Sequence, residues 1–323
     1  MTGPLVIART CMGSPFEISA YPGGSRAGAS ALETAVLTAY AEVERVENLL
    51  TDFRDSPLNA LNASAGGAPV AVTPELFDLI DFSLGICRQA GGAFDITFGA
   101  VGLLWREAFR TEVPPAEAAI AKALRLVDHS KVEMNHAACA IRLPEKGMRI
   151  GLGSIGKGYG VDRACRVLAD LGVESFCVNG AGDLRVSSSP SAPRPWRVAV
   201  KNPFSGDDRA AGFMELKRGA LVTSGDYARY FIHRGKKYHH IIDARTGGVR
   251  EDIASVTVLA STAALANSYT ISAMALGPEE GAEFLHRRRD ASGVIIASSG
   301  AVINCNLKTA EYIGVPSYAA DKS

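Results

Sequence analysis

The chain has 323 residues, and its 34 basic and 34 acidic side chains give no formal net charge at pH 7. No run of Lys or Arg is long enough to follow a phosphate backbone, so we expect no nucleic-acid partner. A chain of this length can share one core, and neither a linker nor an internal repeat divides it. We therefore predict an α+β fold, with mixed or antiparallel sheets and packed helices, as one domain over residues 1–323.

Residues 1–21 show no basic region, no sustained apolar region and no small-residue cleavage site. We therefore predict a cytoplasmic protein. The longest weakly polar stretch, residues 260–277, falls short of the roughly 20 apolar residues of a membrane span, so it predicts a buried helix and no membrane partner. The cysteines lie singly, without a C-x-x-C pair or a His at zinc spacing, which predicts buried free thiols at Cys11, Cys87, Cys139, Cys165, Cys177 and Cys305.

The first part of the chain predicts strands, a long helix and a loop. Residues 4–21 alternate as strands do, and Pro22-Gly23-Gly24 predicts a turn after them. Residues 29–50 carry an apolar stripe at helical spacing opposite a charged side. Residues 51–72 are rich in Asp, Asn, Ser, Gly and Pro, so they predict a loop with one helical turn at residues 58–61. Long loops of this kind often carry function.

A second helix begins at Thr73-Pro74, a favourable N-cap followed by a proline, and ends at Gly91-Gly92. From Met148 the pattern becomes strand, glycine-rich turn, helix and strand. Short strands are predicted further on, and the buried helix ends at Gly277-Pro278. The predicted strands are residues 196–200, 255–260 and 294–297.

The glycine-rich turn at residues 151–156 matches the dinucleotide-binding pattern G-x-G-x-x-G and lies between a strand and a helix. That pattern also needs an acidic residue about 20 positions on, but the next strand ends at Asn179. The same stretch nearly matches a P-loop, but Gly158 stands where Ser or Thr would hold magnesium. Two interpretations stay open: a phosphate contact through helix N–H groups, or a turn that needs glycine only for close packing.

Taken whole, residues 150–186 resemble the FAD:protein FMN transferase family, whose pattern runs close to I-D-L-G-G-I-A-K-G-Y-A-V-D-R and later V-N-A-G-G-D. Other blocks of the family pattern agree in the same order and extend the resemblance from about residue 12 to residue 277. The resemblance implies a flavin-transferase-like, T-fold-related domain. The matching blocks are Met12-Gly13-Ser14 (M-G-T), residues 92–97 (G-A-F-D-P-T), Trp105, residues 223–227 (T-S-G-D-Y), and residues 238–243 with Thr246-Gly247 (Y-H-H-I-I-D-P-x-T-G).

Members of this family bind FAD and use magnesium to cleave its pyrophosphate, passing FMN to a Ser or Thr hydroxyl of an acceptor protein; some hydrolyse FAD instead. The resemblance therefore implies FAD as the ligand and an acceptor flavoprotein as the partner. Attack on a pyrophosphate needs a shield for the developing negative charge, a base for the attacking hydroxyl, and a fixed phosphate geometry.

The resemblance also implies individual site residues. His240 and Asp243 are the catalytic candidates, with His240 as the base, oriented through its other ring nitrogen. Phe53 takes the place of a family tyrosine that stacks on the flavin. An ordinary Asx turn is the alternative role for Asp226. The implied FAD contacts are Met12, Phe53, Asp95, Gly153, Ser154, Lys157, Tyr159, Asp162, Asn179, Gly182, Asp183, Ser224, Gly225, Asp226, Tyr227, His239 and His240.

The sequence departs from the family where the metal is expected. Relatives carry A-D-A-L-x-T-A, and an ungapped match places Asn267 at the Asp and Ile271 at the Thr. Asn offers only a neutral amide oxygen and Ile offers none, so magnesium is in doubt; Gly156, Asn267 and Thr270 are the remaining candidate ligands. Thr270 would need a helix rotation, because one residue turns a side chain by about 100°. Gly151 also replaces the Asp of I-D-L-G.

Three hypotheses follow from retained flavin-binding blocks and altered metal ligands. The first is an active FMN transferase. In the second, the protein keeps FAD intact as a prosthetic group and is an oxidoreductase. The third is a flavin carrier without catalysis. We take the first as the principal hypothesis.

Overall fold

The structure is a computed structural model. It describes residues 3–22, 29–191, 193–205, 210–307 and 313–314. The described residues form α-helices in both the N-terminal and the C-terminal half of the chain, and a short 3₁₀ helix spans His129–Lys131. The helices are α1 (Ala29–Leu50), α2 (Pro57–Ala63), α3 (Pro74–Gln89), α4 (Gly99–Thr111), α5 (Glu117–Leu124), α6 (Gly153–Asp170), α7 (Ala263–Leu276) and α8 (Pro278–His286).

The strands pair antiparallel throughout the described ladders. They are β1 (Leu5–Cys11), β2 (Ser14–Ala20), β3 (Val70–Ala71), β4 (Glu133–Asn135), β5 (Ala140–Arg142), β6 (Phe176–Gly180), β7 (Asp183–Ser187), β8 (Trp196–Lys201), β9 (Ala210–Leu216), β10 (Arg218–Gly225), β11 (Tyr230–His233), β12 (Lys236–His239), β13 (Ile253–Ala260), β14 (Ala291–Ala297), β15 (Val302–Cys305) and β16 (Ile313–Gly314).

A central sheet organises the fold, with the strand order β1-β2-β6-β7-β10-β13-β14-β15. Smaller sheets are formed by β16-β9-β8, by β3-β5-β4 and by the β11-β12 hairpin. The α+β class and the antiparallel sheets predicted from the sequence are confirmed. The single domain predicted over residues 1–323 stays a prediction.

The two faces of the central sheet contact different layers, because successive side chains of a strand point to opposite sides. On one face, Val222 and Ile295 join a core that includes residues of α1, α6, α7 and α8. On the other, Leu221 and Val294 pack with residues of the β8-β9 sheet. Helix α7 is almost entirely buried, as its sequence predicts. The sheet is therefore covered on both sides.

A third, smaller core lies beside the sheet and anchors the segment that carries the His-His pair. Trp105 of α4 packs with Phe231 and Ile242. The indole N–H of Trp105 also donates a 2.9 Å hydrogen bond to the carbonyl oxygen of Gly247. The tryptophan thereby fixes the turn at residues 243–248 to α4.

Most predicted elements are present, with two corrections. The strand predicted at Met148 is absent, because the side-chain amide of Asn62 makes both backbone hydrogen bonds of Ile150, at 2.7 and 2.9 Å, in place of a neighbouring strand. In the loop predicted at residues 51–72, the predicted helical turn at residues 58–61 is present as the longer helix α2, whereas β3 was not predicted. Gly23 and Gly24, at which a turn was predicted, lie outside the described residues.

All six cysteines are free thiols, as predicted. Cys87, Cys165 and Cys305 are buried, whereas the other three are half-buried, so the prediction of burial is confirmed only in part. Within the described part of the chain, no helix combines the length and apolar character needed to cross a membrane.

Candidate functional site

A cleft of ≈ 350 Å³ opens where the end of β10 and the start of β7 meet α6 and α7. Its wall combines apolar side chains with polar groups, as is usual for small-molecule sites. Nine of the residues predicted from the family resemblance line it. They are Asp95, Gly153, Ser154, Lys157, Asp183, Ser224, Gly225, His240 and Asn267.

The glycine-rich turn places the start of α6 at this cleft. The N–H of Gly151 donates to the carbonyl oxygen of Ile96 at 2.8 Å, and the helix begins at Gly153. Its N-cap, Leu152, makes no side-chain hydrogen bond. The N–H groups of the first turn therefore remain available to an anion, and the helix dipole favours negative charge there.

The packing interpretation does not hold for the turn itself, because a Cβ atom at Gly151 would meet nothing closer than 4.0 Å and one at Gly153 nothing within 4 Å. Close packing requires glycine two residues beyond the turn. A Cβ atom at Gly158 would lie 2.6 Å from the carbonyl oxygen of Ala263, closer than real Cβ contacts. Gly158 is therefore required for the close approach of α6 to α7. The turn is not a dinucleotide fingerprint, because no acidic residue ends β6. It is not a P-loop, because position 158 has no hydroxyl group.

A tight hairpin presents Asp183 to the cleft. Ala181 and Gly182 both have left-handed backbones, with φ of 52° and 97°, as two-residue hairpin turns between strands require. The side-chain oxygen of Asn179 accepts a 2.9 Å hydrogen bond from the N–H of Gly182. Asn179 and Gly182 thus shape the turn, while Ala181 and Asp183 line the cleft.

Asp183 forms a buried polar group with two neighbours. Its Oδ2 accepts a 2.7 Å hydrogen bond from Nδ2 of Asn267 and lies 3.6 Å from Nζ of Lys157. Burial raises the pKa of Asp183 to about 6, and the Lys157 charge and the Asn267 hydrogen bond both oppose that rise. We call Lys157, Asp183 and Asn267 the Asp183 triad.

The two histidines of the pair have different surroundings. Nε2 of His239 lies 2.8 Å from the carbonyl oxygen of Arg250, and its Nδ1 accepts from the N–H of Ile241 at 3.3 Å. Both nitrogens of His239 are therefore engaged. Nδ1 of His240 lies 3.2 Å from the carbonyl oxygen of Arg229. Because a carbonyl only accepts, Nδ1 of His240 carries the proton and Nε2 keeps its lone pair.

The environment keeps His240 neutral. Desolvation by the cleft wall lowers its pKa to about 4, although the residue also keeps surface exposed to solvent. The hydrogen bond to the Arg229 carbonyl opposes this shift, and the positive charges of Lys157 and Arg229 add to it. The imidazole is consequently unprotonated at neutral pH. A neutral ring fixed through Nδ1, beside a cleft, is suited to accept a proton at Nε2.

Asp243, the second catalytic candidate, does not line the cleft. It is buried, and its carboxylate accepts hydrogen bonds from the backbone N–H and the guanidinium of Arg245 at 2.9–3.2 Å. Its neighbours Ile242 and Ala244 do line the cleft. Asp243 is thus placed to hold the turn that shapes this wall.

Two further predicted contacts support α6 and α7 from outside the cleft. The hydroxyl of Tyr159 donates to Oε1 of Glu75 at 2.7 Å. The Asp162 carboxylate accepts from the N–H groups of Ala263 and Ala264, both at 2.9 Å, and therefore caps α7. Burial raises the pKa of Asp162.

Three further predicted contacts do not line the cleft. Asp226 pairs with Lys237 at 2.8 Å. The ring of Tyr227 packs against Gly225, where a Cβ atom would lie 2.4 Å from it. The N–H of Met12 donates to Oε2 of Glu47 at 2.6 Å.

Phe53 is 78% exposed beside the cleft residue Asp52, and the guanidinium of Arg106 lies 4.0 Å from its ring centroid.

The sequence analysis did not predict the part of the cleft wall that α4 forms. Gly99, Gly102 and Arg106 all line it from α4, and Arg106 pairs with Asp52 at 2.6 Å. Their i, i+3, i+7 spacing places them on one helix face, a signal that the sequence contains.

Asp95 lies in the cleft wall, and both of its carboxylate oxygens already have hydrogen-bond partners. One carboxylate oxygen accepts from the N–H and hydroxyl of Thr97, and the other lies 2.8 Å from Nδ1 of His129. Cys87, Asp95 and His129 are close enough together to share a metal ion. However, Sγ of Cys87 accepts a 3.4 Å hydrogen bond from the N–H of Ile96, and both carboxylate oxygens of Asp95 are engaged, so protein groups satisfy the cluster and it is better explained as structural.

The magnesium that the resemblance implies finds a poor set of donors. Ile271 lines the cleft but has no ligand atom, and the hydroxyl of Thr270 is engaged 2.8 Å from both the Ser224 hydroxyl and the Asn267 carbonyl oxygen. Gly156 is buried within α6. The Oδ1 atom of Asn267 is buried without a hydrogen bond, so it is free to bind a cation, but it is one neutral oxygen. These residues do not fit a magnesium site.

Comparison with known proteins places the chain in a family. The ApbE family model matches residues 12–296, so the chain belongs to the ApbE family. It is 30% identical to the FAD:protein FMN transferase of Klebsiella pneumoniae (strain 342) over 294 residues, 90% of this chain and 89% of that protein. It is 28% identical to the FAD:protein FMN transferase of Treponema pallidum (strain Nichols) over 311 residues, 90% of this chain and 86% of that protein.

Solved structures agree with this assignment. The crystal structure of the ApbE protein from Thermotoga maritima matches with a TM-score of 0.83 at 26% identity, covering 94% of this chain and 97% of that one. Flavin transferase ApbE from Vibrio cholerae matches with a TM-score of 0.79 at 24% identity over the same shares, which supports the fold alone. The family predicted from the sequence blocks is confirmed.

Proposed function

We propose that this protein is a FAD:protein FMN transferase, which moves FMN from FAD to a Ser or Thr hydroxyl of an acceptor flavoprotein. The observation that carries the proposal is the neutral imidazole of His240, oriented by the Arg229 carbonyl in the wall of the cleft. Relatives matched over most of their length carry this activity in their names.

The cleft provides distinct surfaces for the phosphate groups and for the flavin ring of FAD. The phosphate groups of FAD lie at the uncapped start of α6, near Ser154 and Lys157. The flavin ring packs on the apolar part of the wall, and Phe53 stands at its edge. The apolar residues are Phe94, Phe98, Ile241 and Ile242.

The reaction exchanges one phosphate bond for another. The acceptor hydroxyl oxygen bonds to the phosphorus of the FMN half, the P–O bond to the AMP half breaks, and AMP leaves. The hydroxyl proton moves to Nε2 of His240, which is neutral at pH 7 because its pKa is lowered to about 4. The start of α6 and Lys157 fix the phosphates and oppose the charge that develops on them.

Incubation of the purified protein with FAD, with and without an acceptor flavoprotein, tests this proposal. Chromatography should show FAD consumed, AMP released and FMN attached to the acceptor, with little of either product from a His240→Ala variant. FAD that stays intact for hours in the presence of the acceptor would contradict the transferase and favour a prosthetic role.

A further inference from the structure

The Asp183 triad is electrically balanced by its own side chains. Asp183 is 2% exposed, and the ammonium of Lys157 is its nearest cation, 3.6 Å away. Asn267 adds a hydrogen bond without charge. One negative and one positive charge therefore sum to zero. An aspartate at position 267, as in the family pattern, would leave the same three residues with a net charge of −1.

The geometry at position 267 shows what the amide changes. Nδ2 of Asn267 lies 2.7 Å from Oδ2 of Asp183. A carboxylate there would bring two negative charges to hydrogen-bond distance, and such a pair requires a proton or a cation between its members. The amide instead donates to Asp183, so this carboxylate is satisfied by protein groups alone.

The other residues around position 267 provide few ligand atoms for a divalent cation. Magnesium demands near-ideal octahedral geometry and gives up its water reluctantly. Asn267 provides one neutral oxygen, Oδ1, and Ile271 covers the next turn of α7 with apolar surface. Lys157, by contrast, already places a positive charge one turn into α6, beside the same wall.

We propose that this protein binds the pyrophosphate of FAD without magnesium, with the Lys157 ammonium, positioned by Asp183, in the electrostatic role of the metal. Asn267 is the residue that makes this possible. The inference rests on the proposed function, because it takes this cleft to be the FAD site. It concerns binding, so it is tested separately from FMN transfer.

Isothermal titration of FAD into the wild-type protein, in excess magnesium chloride or in EDTA, is the first test. We expect the two dissociation constants to agree within about twofold. Lys157→Met should weaken FAD binding by about tenfold or more in both buffers, the size expected for a charge-assisted contact. Lys122→Met removes an exposed ammonium from α5 and should leave the affinity unchanged.

The double variant Asn267→Asp with Ile271→Thr is the second test. It restores one carboxylate and one hydroxyl, so FAD binding should fall by about tenfold or more in EDTA and recover with magnesium, because ligand charge sets metal affinity. If this variant does not fold, the wild-type comparison in the two buffers decides alone.

The possible outcomes separate the two proposals. Wild-type FAD affinity that falls tenfold in EDTA, or stoichiometric tight magnesium binding by the FAD-free protein, would overturn the metal-free inference and leave FMN transfer standing. Tight FAD binding in EDTA, together with no FMN transfer in either buffer, would support the inference and contradict the transferase. No FAD binding in either buffer would contradict both.

Discussion

The carbonyl oxygen of Arg229 lies 3.2 Å from Nδ1 of His240 and determines which ring nitrogen carries the proton. Since Nδ1 donates to this carbonyl, Nε2 is the basic nitrogen. The adjacent His239 has no such free nitrogen, because both of its nitrogens are engaged with backbone groups. The pair therefore divides into one candidate base and one structural residue.

The substitution His240→Ala should lower FMN transfer by roughly 10²-fold or more, as loss of a general base commonly does. FAD affinity should change little, because in the proposed binding mode the phosphates contact α6 and the flavin contacts apolar side chains. Steady-state kinetics and FAD titration on the same preparation would measure both quantities.

His239→Ala serves as the matched control. Its loss leaves the buried backbone groups of Arg250 and Ile241 without their partner, which should cost about 1–3 kcal/mol in the free energy of unfolding. Urea unfolding would measure this. Unchanged activity in His240→Ala, with wild-type activity present, would make His240 structural and contradict its assigned role.

The titration of His240 provides a prediction that does not depend on activity. Its pKa is lowered to about 4, so the ring should stay neutral down to about that pH. The unfolded chain takes up this proton near pH 6.5, and the folded chain only near pH 4. His240 therefore lowers stability as the pH falls through this interval.

NMR of the histidine ring protons would follow the titration, with His240→Gln identifying the resonance by its absence. We expect a midpoint near pH 4. A midpoint at or above pH 6.5 would show that the cleft does not desolvate the ring, and the argument for a neutral base would fail.

FAD should bind much more tightly than FMN. Both ligands carry the flavin ring, but only FAD extends a pyrophosphate past the start of α6 and Lys157. Parallel isothermal titrations measure the ratio. Equal affinities would show that the pyrophosphate adds nothing to binding, and they would weaken the assignment of FAD as the substrate.

Asp243→Ala should lower stability and activity together. The Asp243 carboxylate is buried and holds Arg245, which is 37% exposed and can be rehydrated when its partner is removed. We therefore expect a loss of about 1–2 kcal/mol, at the lower end for a charged hydrogen bond. Urea unfolding compared with kinetics would test this. A large loss of activity at unchanged stability would instead indicate a direct catalytic role.

Sequence patterns predicted the regular elements well where one physical cause dominates. The apolar stripe of residues 29–50 gave the bounds of α1, and the Thr73-Pro74 start gave α3. The strand predicted at Met148 failed because its hydrogen-bond partner is the side chain of Asn62, which is distant in sequence. Helix α4 was missed, although its Gly99, Gly102 and Arg106 spacing is helical.

The sequence predicted which residues lie at the site more successfully than it predicted what each of them does. Blocks of the family pattern identified Lys157, Asp183 and His240, which the fold brings to one cleft. The resemblance did not separate residues that line the cleft from those that support it, such as Asp162, which caps α7. That distinction depends on tertiary contacts between α6, α7 and the sheet, which local sequence does not encode.

Mass spectrometry of the acceptor tests the central claim most directly. A flavin-free acceptor flavoprotein, made in cells without an FMN transferase, would be incubated with FAD and the wild-type protein or His240→Ala. We predict that the wild type adds FMN through a phosphoester bond to one Ser or Thr of the acceptor, and that His240→Ala does so at least about 10²-fold more slowly. An unmodified acceptor beside intact, protein-bound FAD would contradict the account.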